Sequence, residues 1–219
     1  MNAMRRLAML LAVGLAAAVL SAVAQAPPAQ AAPWFDGKTG LAVQVVSVQG
    51  TGGSRATVEG WQRGLGGWER TIASIPAFVG SQGIAARAKD GVPATPAGVF
   101  SLDSAFGTAP APGGLLPYRK VGANDWWDGD PQSPTYNTHQ VCAPGTCPFR
   151  ESQSEQLAIP AYEYAVVMGV NKDRVPGNGG AFFMHLTDGT PTLGCVAMER
   201  EPLLRIIRWL LPGAVIAIR

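Results

Sequence analysis

The hydrophobic positions of the chain fall into short runs separated by glycine and proline, a pattern typical of β-strands joined by turns. Residues 41–49 and 56–61 are rich in β-branched and other apolar side chains, and the glycines between them predict a β-hairpin. Arg55 stands where the last glycine of a nucleotide-binding fingerprint should be, so the hairpin is favoured over a phosphate-binding loop. Further strands are predicted at residues 71–79, 98–102, 164–170, 181–186 and 214–218.

One helix is predicted near the C-terminal end of the sequence, where apolar residues recur at helical spacing. Pro202 suits its first turn, and Pro212 followed by Gly213 predicts its end. The recurring residues are Leu203, Leu204, Ile206, Ile207, Leu210 and Leu211. Residues 107–160 form an unusually long connection, which we interpret as functional loops. The pattern as a whole predicts a single, mainly β domain with one or two helices.

The first 31 residues have the layout of a secretory signal peptide. Arg5 and Arg6 precede an apolar run over residues 7–23, and residues 29–31 (Ala-Gln-Ala) supply a small-x-small cleavage site. A retained membrane anchor is the alternative, because 17 apolar residues lie at the lower limit for crossing a bilayer. We therefore expect a protein that is secreted or held in the cell envelope, with its domain at residues 32–219.

Charge excludes two classes of partner. The full chain has 17 basic and 15 acidic side chains, and loss of Arg5 and Arg6 with the signal peptide leaves 15 of each. A neutral domain has no electrostatic attraction to nucleic acid or to an anionic membrane surface. We therefore expect neither as a partner after signal cleavage.

Two of the three cysteines are predicted to pair. Cys142 and Cys147 flank a Pro-Gly turn, which brings their side chains together, and an oxidising compartment favours a disulfide. A partial zinc site formed by His139 and these thiols is the alternative, but the spacing offers no fourth ligand. No metal and no cofactor are predicted. Cys195 is left as an odd thiol in an exported protein, which requires an explanation.

Cys195 and His185 are the predicted catalytic pair. An apolar strand ends at His185, and Cys195 follows ten residues later in a Thr-x-Gly-Cys segment. An imidazole beside a thiol removes its proton and creates the nucleophile, so we expect an accessible thiol of lowered pKa. The amides of Gly194 and Cys195 are predicted to form an oxyanion hole. The alternative is an inert, buried cysteine.

These motifs resemble the L,D-transpeptidase catalytic (YkuD-like) domain family. His185 followed by residues 192–195 (Thr-Leu-Gly-Cys) is similar to the family's His and [Ser/Thr]-x-Gly-Cys, and residues 95–100 (Thr-Pro-Ala-Gly-Val-Phe) are similar to its Thr-Pro-x-Gly-x-Phe. The C-terminal helix and the Pro-Gly-x-x-Ile-x-Ile ending also match, as do Tyr136 and Asn137 for one branch. Ala197 departs from the arginine that many members carry there, and the His-to-Cys spacing is shorter.

The resemblance implies a β-sandwich or barrel that acts on peptidoglycan stem peptides through a Cys195 thioester. It further implies that an amine resolves the thioester as a cross-link or water resolves it as a carboxypeptidase, and that carbapenems acylate Cys195. Thr192 and Arg200 are the predicted substrate-binding residues. For Arg200 the reason is bidentate binding of a substrate carboxylate, with a solvated helix face as the alternative.

Two other functions stay open at this point. Thr192 and Leu193 before the cysteine give a faint likeness to sortase-like transpeptidases, although Gly194 and the short His-to-Cys spacing differ. A non-catalytic wall-binding protein with an idle Cys195 would use the same scaffold. Trp126 and Trp127 could stack on glycan rings, but anchoring of the loop is the favoured interpretation.

Overall fold

The computed structural model describes residues 32–219, in which fourteen strands and one α-helix are found. The strands are β1 Gln44–Gly52, β2 Arg55–Gly64, β3 Gly67–Phe78, β4 Ile84–Ala85, β5 Thr95–Pro96, β6 Gly98–Gly107, β7 Tyr118–Lys120, β8 Asp125–Asp128, β9 Thr138–Val141, β10 Glu155–Gln156, β11 Ala165–Met168, β12 Phe183–Leu186, β13 Val196–Met198 and β14 Val215–Ile218. The helix α1 is Arg200–Trp209, and two short 3₁₀ helices are Glu151–Gln153 and Pro160–Tyr162.

The main sheet closes on itself as a barrel. Its strand order is β11-β12-β13-β3-β2-β1-β14-β6-β7, and an additional pairing of β11 with β6 joins the two ends. β6 makes this closure possible because it is long. Its first half pairs with β14 and its second half with β11 and β7. A mainly β fold was predicted, either a sandwich or a barrel. The closed sheet shows that it is a barrel.

The period-two alternation of each strand separates the core from the outer surface of the barrel. On β1, Val46 and Val48 lie in the main core, whereas Val45 packs outside against Phe35 and its aromatic neighbours. On β12, Met184 lies in the main core and Phe183 on the opposite face. The outer face of β12 therefore remains available for other contacts.

Helix α1 packs its apolar face into the main core. The predicted residues Leu203, Leu204, Ile206 and Ile207 are all buried within it, and Leu210 directly follows the helix. Burying each of these side chains stabilises the fold by about 2 kcal/mol relative to exposure. The helix was predicted from this spacing and its existence is confirmed, but it ends at Trp209, two residues before Leu211, the last residue of the predicted run.

Residues 121–162, between β7 and β11, cover the outer face of the barrel at β11 and β12. We call this segment the insertion. It contains a three-stranded sheet of order β10-β8-β9, with β8 central and antiparallel to both neighbours. The fully buried Asp128 carboxylate holds it together by accepting hydrogen bonds from Asp130 N–H at 2.9 Å and Thr135 Oγ1 at 2.7 Å. Functional loops were predicted here, and the three-stranded sheet is a departure from that prediction.

Most predicted strands are confirmed, with shifted ends. The hairpin of β1 and β2 is present, and the predicted strands at 71–79, 98–102, 164–170, 181–186 and 214–218 overlap β3, β6, β11, β12 and β14. The predicted signal peptide lies outside the described residues. No helix within residues 32–219 is long and apolar enough to cross a membrane.

Candidate active site

The register of β12 and β13 places the two predicted catalytic side chains on the same face of the barrel. The strands are parallel, with Met184 opposite Val196 and His185 opposite Ala197. Counting back one step puts Phe183 opposite Cys195. Since alternate residues share a face, Phe183, His185 and Cys195 all point outward, away from Met184 and the main core.

The turn that carries Cys195 is held by buried hydroxyl groups. Thr95 Oγ1, fully buried, accepts from Gly80 N–H at 2.9 Å and donates to the Gly194 carbonyl at 2.8 Å. Thr192 Oγ1 accepts from Gly194 N–H at 3.0 Å and donates to the Cys195 carbonyl at 2.7 Å. These bonds join the Thr-Pro-x-Gly segment to the Thr-x-Gly-Cys segment. Together they fix the backbone conformation that positions the sulfur.

Gly194 is required in this turn. Its φ is +149°, and a Cβ atom there would lie 2.6 Å from the ring of Phe182 and 3.1 Å from the Ala94 carbonyl oxygen. A side chain would therefore be strained in conformation and would also collide with its neighbours. This explains the glycine before the cysteine independently of any role of its amide.

The sulfur of Cys195 is enclosed but polar in its contacts. The Phe183 N–H donates to Sγ at 3.3 Å, and the thiol lies 3.6 Å from the Ala181 carbonyl oxygen. Only 7% of the residue is exposed. Burial raises the pKa of the Cys195 thiol, the negative charge of Glu155 raises it further, and the Phe183 amide opposes the shift. The expectation of an accessible thiol with lowered pKa is therefore wrong for the free protein.

His185 is oriented by the backbone carbonyl that follows it. Its Nδ1 lies 2.8 Å from the Leu186 carbonyl oxygen, which only accepts hydrogen bonds, so Nδ1 carries the proton and Nε2 has a free lone pair. Burial lowers the pKa of His185, while the Leu186 carbonyl and the Asp188 charge oppose that shift. The imidazole is accordingly neutral near pH 7 and able to accept a proton.

Glu155 and Tyr162 form a second polar pair beside the sulfur, one that the sequence analysis missed. The Tyr162 hydroxyl donates a short hydrogen bond to Glu155 Oε2, and the Tyr162 ring packs edge-on against His185 with 5.3 Å between ring centroids. Burial raises the pKa of Glu155, and the Tyr162 hydrogen bond opposes this. Burial and the nearby Cys195 and Glu155 raise the pKa of Tyr162, so its hydroxyl keeps its proton.

Two clefts meet at Cys195. The Lys89 cleft is lined by Lys89, Asp90, Tyr136, Gly180 and Phe182, among others. The His185 cleft is lined by Tyr162, His185, Asp188, Thr192 and Ala197, among others. Glu155, Leu193 and Cys195 line both clefts. The sulfur is therefore not sealed in the interior, despite its small exposed surface.

Asn137 attaches the insertion to the connection between β11 and β12. Its Oδ1 accepts from Trp127 Nε1 at 2.8 Å and from Ala181 N–H at 3.1 Å. Its Nδ2 donates to the carbonyls of Val170 at 3.1 Å and Asn171 at 3.0 Å. The side chain thus uses all its main hydrogen-bonding positions, and the insertion is fixed over the cysteine.

Comparison with known proteins identifies the family. The family model described as YkuD, L,D-transpeptidase catalytic domain, matches residues 61–218. The chain belongs to the L,D-transpeptidase catalytic domain family. That match runs from the end of β2 to β14, contains the insertion, and includes both His185 and Cys195. Searches of curated proteins and of solved structures gave no match. The sortase-like interpretation is thereby set aside.

The predicted disulfide is present in this family member. Cys142 and Cys147 are bonded, with their Cα atoms 5.3 Å apart, at the edge of the insertion. Both sulfurs are therefore unavailable as thiolate ligands for a metal. His139, the other member of the weighed zinc site, instead lies with Nε2 2.7 Å from Asp125 Oδ1. Within residues 32–219 no cluster of metal-ligating side chains is found.

Arg200, predicted to bind substrate, is paired with carboxylates of the protein in this structure. It lies at the start of α1, away from both clefts, and its guanidinium donates to Glu163 Oε1 at 3.0 Å and to Glu201 Oε1 at 2.9 Å. The group that was expected to bind a substrate carboxylate is paired with carboxylates of the protein. Substrate binding by Arg200 remains a prediction, and it would require these ion pairs to open.

Thr192 and the Gly194 amide are also engaged within the protein. Thr192 lines the His185 cleft, but its hydroxyl makes both of its hydrogen bonds inside the cysteine turn. The Gly194 N–H, predicted for the oxyanion hole, donates to that hydroxyl in the free protein. Both roles remain predictions, and each requires one of these bonds to exchange for a substrate atom.

The favoured anchoring role of the tryptophans is confirmed. Trp126 is buried and donates from Nε1 to the Cys142 carbonyl at 3.2 Å. Trp127 donates to Asn137, and its ring packs edge-on against Phe183 at 5.1 Å between centroids. Both indole N–H groups therefore have protein acceptors, and the rings hold the insertion against the barrel.

Proposed function

We propose that this protein transfers the acyl group of a peptidoglycan stem peptide through a thioester on Cys195. The observation that carries the proposal is that the Cys195 thiol and the His185 imidazole share one face of β12 and β13 and line one cleft. Membership of the L,D-transpeptidase catalytic domain family supplies the substrate class, since that family acts on stem peptides.

The raised pKa of the thiol shapes the first step. Because a free thiolate is disfavoured in this enclosure, the proton passes to His185 Nε2 as the sulfur attacks the donor carbonyl carbon. The Phe183 N–H, already donating to Sγ at 3.3 Å, stabilises the negative charge as it develops on sulfur. In this proposal the Cys195 amide holds the tetrahedral oxygen. The Gly194 amide joins it by exchanging Thr192 Oγ1 for the substrate oxygen.

Breakdown of the first intermediate completes the acylation. His185 returns its proton to the leaving D-alanine nitrogen, the peptide C–N bond breaks, and the thioester remains on Cys195. A nucleophile then attacks the thioester carbon, and the C–S bond breaks. An amine gives a cross-link between stems, and water gives a carboxypeptidase.

A non-catalytic wall-binding protein is the second candidate, and one observation favours it. Cys195 is 7% exposed and has a raised thiol pKa, as expected of an idle core cysteine. The position of the sulfur in both clefts argues against this alternative. The two functions differ in one product, free D-alanine.

Release of D-alanine from a tetrapeptide stem tests the proposal. The wild-type protein should release it, Cys195→Ala should abolish release, and His185→Gln should slow it by about 10²–10⁴-fold, as for loss of a general base. His139→Gln is the matched control. This second histidine lies on β9, contacts Asp125 of β8, and lines neither cleft. Stem binding without D-alanine release in the wild type would establish the binding function instead.

A further inference from the structure

Glu155 is the one carboxylate that lines both clefts at Cys195 within residues 32–219. It stands on β10, at the inner edge of the insertion, where β10 pairs with β8. Its Oε2 accepts from the Tyr162 hydroxyl, while Oε1 accepts no hydrogen bond from the described residues. One carboxyl oxygen of a half-buried glutamate beside the reactive sulfur is thus left for a donor that is not part of the protein.

The charges of the His185 cleft indicate what that donor is. Glu155 and Asp188 line this cleft, and among residues 32–219 no lysine or arginine does. The Lys89 cleft, in contrast, combines Lys89 with Asp90 and Glu155. A cleft with two carboxylates and no basic side chain attracts a cation. A primary amine enters as an ammonium ion, so this cleft suits the amine that resolves the thioester.

We infer that Glu155 is a further catalytic residue, which takes the proton of an incoming ammonium group in the His185 cleft and so commits the Cys195 thioester to transfer to a primary amine. This inference rests on the proposed function. Tyr162 is a positioning residue, since it holds Glu155 through its hydroxyl and His185 through its ring.

The step conserves atoms and charge. The Glu155 carboxylate takes one proton from R–NH₃⁺ and leaves the free amine R–NH₂. The nitrogen lone pair then forms a C–N bond to the thioester carbon as the C–S bond breaks. His185 takes the second proton from nitrogen and passes it to the departing Cys195 sulfur. Glu155 finally releases its proton to water.

The surroundings of Glu155 suit a base of this kind. Its pKa is raised by burial, so the carboxylate is a stronger base than an exposed glutamate. The Tyr162 hydroxyl keeps its proton and fixes the carboxyl orientation. An ammonium ion bound at Oε1 would replace, for the carboxylate, the water that burial has removed.

Two acceptors with different proton requirements test the inference. The acyl-enzyme is formed from a tetrapeptide stem, followed by intact mass, and then treated with a stem peptide carrying a side-chain amine or with hydroxylamine, which is neutral at pH 7. For Glu155→Gln we expect transfer from the preformed acyl-enzyme to the peptide amine to fall by about 100-fold at pH 7, while transfer to hydroxylamine stays at the wild-type rate. The loss should shrink as pH rises, because the free amine becomes available without a base.

Three further variants separate proton transfer from structure and bulk charge. Glu69→Gln removes the same charge from the exposed part of β3 and should change nothing. Asp188→Asn removes a charge from the same cleft, and a loss equal to that of Glu155→Gln would overturn the inference. Tyr162→Phe keeps the ring and should reduce amine transfer with a smaller effect on acylation.

The possible failures are distinguishable. If Glu155→Gln acylates and transfers to the peptide amine at the wild-type rate, this inference is wrong and the proposed function stands. A parallel loss with both acceptors would show a structural role and also overturn it. If the wild-type protein forms no acyl-enzyme, the proposed function falls, and the inference with it.

Discussion

The cysteine turn and the insertion meet at the same sulfur but are held in place by different interactions. The turn over residues 192–195 is tied to the barrel by the fully buried Thr95 hydroxyl and by Thr192. The insertion is tied down by the Asn137 side chain, by a disulfide at its edge and by aromatic packing on Phe183. The first set of contacts fixes the nucleophile, and the second forms the walls around it.

The barrel therefore determines the position of the Cys195 sulfur, and the insertion determines how substrates reach it. Thr95 stands on β5 and directly precedes β6, so the location of the sulfur depends on the barrel itself. Tyr136, Glu155 and Tyr162, which line the clefts, all belong to the insertion. Changes in the insertion should therefore alter substrate access and transfer, whereas changes beneath the turn should remove the nucleophile from its place.

Thr95→Val should have the largest effect on stability and acylation, because it changes the contact that ties the cysteine turn to the barrel. It replaces the hydroxyl by a methyl group of similar size and leaves the buried Gly80 N–H and Gly194 carbonyl without their partner. We expect a loss of about 3 kcal/mol in the free energy of unfolding, measured by urea denaturation, because two buried polar groups lose a hydrogen bond. The acylation rate should fall as well, since the turn is released.

Thr51→Val is the matched control, because Thr51 is exposed in the β1 hairpin and should tolerate the change. Wild-type stability of Thr95→Val would contradict the idea that the barrel fixes the sulfur through this hydroxyl.

Removal of the disulfide should have a smaller and more local effect. The double variant Cys142→Ser, Cys147→Ser opens a loop with a sequence separation of 5, which corresponds to about 2 kcal/mol in the chain-entropy model. The barrel and the acylation of Cys195 should survive, and proteolysis should become faster within the insertion only. Titration of the unfolded wild-type protein without reductant should find one free thiol, and three would contradict the disulfide.

Arg200→Gln should have the smallest effect. Its ion pairs with Glu163 and Glu201 are on the surface, with 47% of the Arg200 side chain exposed. Such pairs contribute about 0–1 kcal/mol, so the free energy of unfolding should change little. The KM for stem peptides should also stay at the wild-type value. A large rise in KM would restore the predicted substrate-binding role and contradict the placement outside the clefts.

The barrel was largely predictable because its strands and helix have strong local patterns. A run rich in valine marks β1, and the spacing from Leu203 to Leu210 marks α1. The insertion was not predictable in the same way. Its strands are two to four residues long, and its shape depends on side-chain bonds such as those of Asn137 to Val170 and Ala181. These partners lie far apart in sequence, and no periodicity marks them.

The residues of the candidate site also differ in how far the sequence predicts them. Cys195 and His185 were recognisable because their spacing forms a motif on adjacent strands. The Thr-Pro-Ala-Gly segment was also recognised, but the role of Thr95 as support for the cysteine turn appears only in three dimensions. Glu155 and Tyr162 lie in a polar, irregular part of the chain, and only folding of the insertion brings them to the sulfur.

Intact-protein mass after exposure to a carbapenem tests the central claim most directly. If Cys195 is an acyl-accepting nucleophile served by His185, the wild-type protein should gain the mass of one carbapenem. Cys195→Ala should gain none, and His139→Gln should react like the wild type. A wild-type protein that stays unmodified while its Cys195 thiol is intact would contradict the account.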